Sequence, residues 1–307
     1  MQPARLVVIV GPTAVGKTEA ALKLAERFQG EIISADSRLF YRGMDIGTAK
    51  PTREEQARVP HHLVDVADPD ETWSLARFQQ EAGRLIAEIN DRGRLPFLVG
   101  GTGQYVRAVV EGWQPPAAQP DPRLRAALEN WAAQTGAAGL HARLAVIDPQ
   151  AAARIDYRNL RRTVRALEVI FTTGRRFSEQ RTRAASPYRT LTLGLTRPRA
   201  ELYDRIDRRI DAMLEAGLVE EVRGLLRRYP HDLPSLSAIG YREIVDYLRG
   251  RSTLEEAVRL IRRSTRVYVR RQANWFRQED ENIHWFTARP GIEEEMAQVI
   301  ETWIIQN

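Results

Sequence analysis

The chain contains no cysteine. That excludes disulfides, a thiolate nucleophile and any zinc site built on thiolates. Long apolar runs are missing too. The longest are of strand length, as in Leu6 to Val10, so no segment is expected to span a membrane. The first such run begins near the start of the chain and leads straight into a glycine loop, which argues against a secretory leader. Lysine is nearly absent: of 46 Lys and Arg residues, only Lys17, Lys23 and Lys50 are lysine. A chain that uses arginine almost everywhere has chemical reasons for keeping some of its lysines. A soluble, cytoplasmic protein is the expectation.

What is present is ordinary in bulk and uneven in detail. Hydrophobic residues make up 43% and charged residues 28% of the 307 positions, a globular balance. The length suits one large domain or a domain with a sizeable insertion. The formal charge of +6 is segregated: residues 151–200 carry +9 and residues 259–278 carry +7, so the rest of the chain is acidic. A surface that binds a polyanion needs such concentration, because diffuse charge steers nothing. Solvated helix faces rich in arginine are the plain alternative.

Strand-like and helix-like stretches alternate through the first part of the chain. Arg5 to Val10 reads as a buried strand and Lys17 to Phe28 as a helix with Ala20, Ala21, Leu24 and Phe28 on one face. Glu31 to Ser34, Leu63 to Val66 and Leu95 to Val99 read as further strands. Ser74 caps a helix that runs to about Asp91 and stops at Gly93. This spacing predicts an α/β fold with a doubly wound parallel sheet. Gln114 to Pro122 holds four prolines and reads as a linker. From there to about Arg183 the pattern is helical with no convincing strand, and Thr190 to Leu195 returns to the sheet. The expected division is a core over residues 1–118, a small all-helical insertion over 119–186, and the rest of the core over 187–307.

Gly11-Pro12-Thr13-Ala14-Val15-Gly16-Lys17-Thr18 fits the phosphate-loop (P-loop) pattern between a strand and a helix. Its backbone N–H groups would wrap a diphosphate, with Lys17 neutralising charge and the Thr18 hydroxyl holding Mg²⁺. Asp36 follows the second strand, whose C-terminal end shares the crevice of a doubly wound sheet. A carboxylate there can accept a proton or bind Mg²⁺ through water, although a turn aspartate would look the same. Gly100-Gly101-Thr102-Gly103 stands where a motor-type ATPase carries an acid. It offers a hydroxyl and backbone amides instead, suited to an oxygen that gains charge. His61 and His62 lack further ligands at metal-binding spacing and are read as supporting the core or the edge of the site. On a helical wheel Arg259, Arg262, Arg263, Arg266, Arg270 and Arg277 fall in one sector of about 100°. Leu260, Ile261, Val267, Tyr268 and Trp275 lie opposite, and RNA phosphates suit the basic stripe.

These motifs together resemble the bacterial-type tRNA dimethylallyltransferases (isopentenyl-diphosphate:tRNA transferases) over nearly the whole chain. The phosphate loop and Asp36-Ser37 are followed by Tyr41-Arg42-Gly43-Met44-Asp45-Ile46-Gly47-Thr48-Ala49-Lys50-Pro51, a stretch close to diagnostic. Pro60 to Leu63, Gly100 to Gly103, Arg165 to Val169, Ile239 to Arg242, and Arg271-Gln272 with Trp275 also match. The resemblance implies transfer of a dimethylallyl group from its diphosphate to N6 of the adenosine just 3′ of the anticodon, position 37. It gives Asp36 the role of base, Thr102 that of stabilising the bridging oxygen, and Arg209 a grip on the phosphates, with Mg²⁺ as cofactor. It places tRNA contacts on Asp36, Ser37, Arg38, Leu39, Thr102, Arg125, Arg161, Arg162, Arg165, Arg242, Arg270, Arg271, Trp275 and Arg277, to which the basic stripe adds Arg266. The insertion is expected to clasp the anticodon stem-loop, and the enzyme to act as a monomer. Where many relatives have Met-Gln after Asp-Ser, this chain has Arg38-Leu39, which puts any base contact of that Gln in question. Three competing readings are a small-molecule P-loop kinase, a prenyltransferase for free adenine nucleotides, and a non-catalytic RNA-binding protein.

Overall fold

Leu6, Val7, Val8, Ile9 and Val10 are all fully buried. Both alternating faces of this strand are therefore covered, as in the middle of a parallel sheet between helical layers. The computed structural model describes residues 3–114, 116, 121–180, 182–183 and 186–306. In chain order, β1 (Ala4–Val10) is followed by α1 (Lys17–Arg27), β2 (Glu31–Ser34), α2 (Arg53–Arg58), β3 (His61–His62), α3 (Leu75–Asp91), β4 (Pro96–Val99) and α4 (Gly103–Val110). Next come β5 (Trp113–Gln114), α5 (Pro122–Ile147), α6 (Pro149–Arg154), α7 (Leu160–Thr173) and β6 (Thr182–Arg183). The chain ends with β7 (Tyr188–Thr196), α8 (Arg199–Glu215), α9 (Leu218–Leu226), α10 (Tyr241–Leu248), α11 (Leu254–Ala273), β8 (Ile283–Thr287) and α12 (Ile292–Ile305).

Six strands form one parallel sheet in the order β3-β2-β4-β1-β7-β8. Val8 sits opposite Leu98 on one side and Thr192 on the other. The chain winds outward from β1 to β2 and β3, returns through β4, and then continues on the far side with β7. This is the doubly wound α/β arrangement. The reversal of strand order opens a crevice at the C-terminal ends of β1 and β4, where ligands of such folds bind. α3 begins with the Ser74 hydroxyl accepting from Arg77 N and buries Phe78, Ala82, Leu85, Ile86 and Ile89. Among the described residues, no helix is long and apolar enough to cross a membrane.

The chain forms two compact units, Met1–Val110 with Ser186–Asn307, and Glu111–Ala185. The second unit has its own apolar core, including Leu128, Leu140, Leu144, Val164, Leu167 and Ile170. It also buries two carboxylates completely, Asp148 and Glu168. Its long helix α5 is interrupted at Gly136, where φ is 76°.

Four sequence expectations need correction. Leu63 to Val66 is not a strand: Leu63 and Asp65 take left-handed φ values of 59° and 54°, which end the extended run at His62. Thr182–Arg183 pairs antiparallel with Trp113–Gln114. The helical unit therefore carries a small ribbon, too short to leave a readable alternation. α11 stops at Ala273, with Asn274 as its C-cap, so Trp275 and Arg277 do not continue the wheel. Leu260, expected on the apolar side, is 42% exposed. The proline-rich linker falls mostly at positions 115 and 117–120, outside the described residues.

Candidate active site

Gly11 to Thr18 joins β1 to α1 in a conformation that depends on its glycines. Gly11 has φ 144°, and a Cβ there would meet the Leu195 carbonyl oxygen at 2.4 Å. Gly16, at φ 117°, N-caps α1 without any side-chain cap, so the first-turn N–H groups are left for an anion. Val15 is buried in the core beneath. Ala14 takes φ 64°, and its carbonyl accepts from Arg205 Nε of α8 at 2.8 Å. Lys17 Nζ donates to Pro12 O at 2.8 Å. Burial holds Lys17 down to about 8; the Asp36 carboxylate opposes that fall and Arg209 adds to it.

A cavity of about 530 Å³ opens against this loop, a size typical of small-molecule sites. Thr13, Ala14, Gly16, Lys17 and Thr18 line it, together with Asp36 from the end of β2 and Gly100 and Gly101 from the end of β4. α8 contributes Arg205, Arg208 and Arg209. Burial lowers the Arg209 guanidinium from its usual range, with Asp36 acting in the opposite sense. Ile32, Leu39, Ala49, Pro51 and Val99 give the same cavity apolar wall. Asp36 Oδ1 accepts from Arg38 N at 2.9 Å, which fixes the carboxylate in the turn.

Behind Asp36 and Gly101, the end of α11 ties the two loops together. Thr13 N donates to Gln272 Oε1 at 2.9 Å, and Gln272 Nε2 donates to Gly101 O at 3.0 Å. Trp275 leans on Gly103 so closely that a Cβ there would lie 2.2 Å from its ring. Arg107 donates to Trp275 O at 2.8 Å. Thr102 Oγ1 is buried and completes no hydrogen bond among the described residues, with the Tyr268 phenol beside it. Burial first, and the Asp36 carboxylate second, push that phenol up to about 12.

The Tyr41 to Pro51 stretch supplies part of the cavity wall and is pinned from beneath. Lys50 Nζ donates to Tyr41 O and pairs with Asp45 and Asp65. Glu221 of α9 accepts from the N–H groups of Asp45, Ile46 and Gly47 and from the Tyr241 hydroxyl. Arg209 donates to Thr48 O at 3.2 Å. Lys50 is thus a buried pin. His62 pairs with Glu31 at the sheet edge, and His61 bonds Val59 O by its Nδ1.

The arginines are placed unevenly. Arg38 reaches the carbonyls of Pro234 and Ser235 and the Ser237 hydroxyl, and Ser37 is half-buried beside it. In the second unit, Arg125 and Arg165 each bond the buried Glu168 at 2.8 Å. Arg161 and Arg162 are exposed in the first turn of α7. Arg242 is paired with Glu243. On α11, Arg262 pairs with Asp211 and Arg266 with Asp207, both from α8. Arg259, Arg262, Arg263, Arg266 and Arg270 nonetheless line one groove of about 800 Å³. Arg270, Arg271 and Arg277 are exposed. Arg205, Glu221, Gln272 and Tyr268 had no assigned role from sequence; only the last two stood in quoted motifs or faces.

Residues 39–279 match the family model described as IPP transferase, and residues 4–65 match the one described as isopentenyl transferase. A tRNA dimethylallyltransferase of Roseiflexus is 54% identical over 300 residues, covering 97% of this chain and 98% of its own. One from Thermomicrobium roseum is 51% identical over 96% of this chain and 90% of its own. Among solved structures, the full-length tRNA isopentenylpyrophosphate transferase of Bacillus halodurans is similar with a TM-score of 0.74 and 47% identity, covering 98% of this chain and 97% of that one. A eukaryotic dimethylallyltransferase acting on tRNA gives 0.79 at 26% identity, over 97% of this chain and 77% of that one. With its phosphate loop, its carboxylate-bearing cavity and these likenesses along nearly its full length, the chain belongs to the tRNA dimethylallyltransferase family.

Proposed function

We propose that this protein transfers the dimethylallyl group of dimethylallyl diphosphate to N6 of the adenosine at position 37 of tRNA, just 3′ of the anticodon. The observation that carries this reading is the cavity itself. One space holds an anion-binding loop, four basic side chains, a carboxylate and apolar wall. A diphosphate with a short hydrocarbon tail and a base to be deprotonated need those groups together. A γ-phosphate needs more, and no acid follows β4.

Adenine N6 is a weak nucleophile because its lone pair is shared with the ring. As N6 bonds to the allylic C1, the C1–O bond breaks and diphosphate leaves with the electron pair. Asp36 accepts the N6 proton. The Thr102 hydroxyl, buried and with no completed hydrogen bond among the described residues, donates to the bridging oxygen as it gains charge. Lys17, Arg209 and the loop amides hold the diphosphate. The Thr18 hydroxyl suits Mg²⁺, which takes few protein ligands beside phosphate oxygens and water. Bound there, the ion neutralises diphosphate charge. The adenosine has to leave its stack to enter the cavity. The α11 groove and the second unit, with Arg161 and Arg162, are assigned to the tRNA backbone. The same reading carries a cytoplasmic setting and a monomer acting on one tRNA.

The test is incorporation of labelled dimethylallyl diphosphate, with Mg²⁺, into unmodified tRNA and into AMP in parallel. Label in tRNA alone is expected. Asp36→Ala should keep tRNA binding and lose about 10²–10⁴-fold in rate. Label in AMP would make this a free-nucleotide prenyltransferase, and ATP turnover without prenylation would make it a kinase.

A further inference from the structure

Gln272 lies in the last turn of α11 and is 3% exposed. Its carboxamide is used at both ends. Oε1 accepts from Thr13 N in the phosphate loop at 2.9 Å, and Nε2 donates to Gly101 O at 3.0 Å. A single planar group therefore spans the ends of β1 and β4. No Cβ fits at Gly101, because it would fall 2.2 Å from Gln272 Nε2. Three residues on and just past the helix, Trp275 closes against Gly103, so Gln272 and Trp275 bracket the Thr102 loop from both sides. The buried Thr102 hydroxyl on that loop completes no hydrogen bond among the described residues and lies beside the Tyr268 phenol.

Diphosphate held by one loop and a bridging oxygen stabilised by the other make a geometric demand. The two loops have to keep a fixed separation while the C1–O bond lengthens, or the donor loses its acceptor. The direct β1–β4 pairing reaches as far as Gly100 N, which donates to Ile9 O; beyond it, Gln272 is the side chain that bonds both loops. We propose that Gln272 is a positioning residue for the prenyl transfer, joining the phosphate loop and the Thr102 loop into one rigid cradle. The inference rests on the reading of Thr102 given above. Gln272 does not line the cavity, so its loss is expected in the transition state and not in ground-state binding. This position also puts the cradle on the helix that carries the basic groove, one turn beyond Tyr268.

The test is a double-mutant cycle of Gln272→Met with Thr102→Ala, read as kcat and KM for dimethylallyl diphosphate and tRNA, with tRNA affinity as the check on folding. Gln272→Met is expected to lower kcat about 10²-fold and to leave both KM values within about threefold. In the Thr102→Ala background the same change should cost less than about threefold more. Gln272→Asn, too short to reach both partners, should repeat the loss, and it decides the matter if the Met variant fails to bind tRNA. Unchanged kcat, a rise confined to KM, or fully additive losses would overturn the proposal. If the wild-type protein prenylates no tRNA, the functional reading falls and this inference with it. If the wild type is active and Gln272→Met equally so, only the inference falls.

Discussion

If the phosphate loop holds the diphosphate as proposed, two influences pull on the charge of Lys17 in opposite directions. Buried in the phosphate loop, its ammonium loses hydration and sits near Arg209, which together bring it down to about 8 against the pull of Asp36. A diphosphate arriving in the cavity restores the reason to stay charged. Binding above about pH 8 therefore has to be accompanied by proton uptake. The expected outcome is dimethylallyl diphosphate affinity that is flat below pH 7.5 and weakens above pH 8, by up to about tenfold per unit. Lys17→Met should bind more weakly at pH 7 and lose the alkaline slope, as read by calorimetric titration between pH 6.5 and 9.5. A flat wild-type profile would mean that Lys17 stays fully charged in the empty cavity. Lys17 was legible because a phosphate loop is a local pattern whose chemistry is carried by its own backbone. Glu221 was not, because it caps the 45–47 amides from another helix, and no spacing in the sequence marks that pairing. Arg205, which holds the Ala14 carbonyl, was hidden for the same reason.

At the scale of the element, α11 separates what a helical wheel can and cannot tell. The wheel correctly gathers Arg259, Arg262, Arg263, Arg266 and Arg270, which share one groove. It says nothing of Asp207 and Asp211, which arrive from α8 and partly neutralise Arg266 and Arg262. It also runs past the helix end, since Asn274 carries no strong stop signal while the Thr253 capping box marks the start clearly. The groove's charge is thus concentrated on Arg259, Arg263 and Arg270. Arg263→Ala is expected to weaken tRNA binding and to reduce the slope of log affinity against log salt by roughly 0.7–0.9, the share of one phosphate contact. Arg266→Ala should reduce it less, because part of its charge is already spent on Asp207. Filter binding across a KCl series checks both, and an unchanged slope for Arg263→Ala would remove α11 from the RNA interface. Strands were readable where they are long and buried, as β1 and β7 are. They failed at β3, where left-handed residues cut an apolar run short, and at the two-residue ribbon of β5 and β6.

The molecule as a whole carries two cores of very different size, and the smaller rests on buried carboxylates. Glu168 is fully buried and accepts from Asp121 N, Arg125 and Arg165. Burial alone would raise its pKa, but the two guanidiniums and the amide outweigh it and hold it below the usual value. Asp148 is likewise buried, and its bonds from Ser178 and Ala151 N overcome the same desolvation. For both groups the folded pKa is depressed. Their stabilisation is therefore present above the unfolded values of 4.5 and 3.8, and is lost as pH falls through the lower folded ones. The first unit also has depressed carboxylates, such as Glu31, but it is backed by an extensive apolar core. Acidification should then unfold the second unit first. In hydrogen exchange, protection in α7 is expected to fall as pH drops below the unfolded value of 4.5 while β1 remains protected. Glu168→Gln should bring that loss forward, costing about 2 kcal/mol at neutral pH because charged hydrogen bonds become neutral ones. Loss of protection in α7 and β1 at one pH, with Glu168→Gln moving both together, would show that the two units unfold as a single cooperative body.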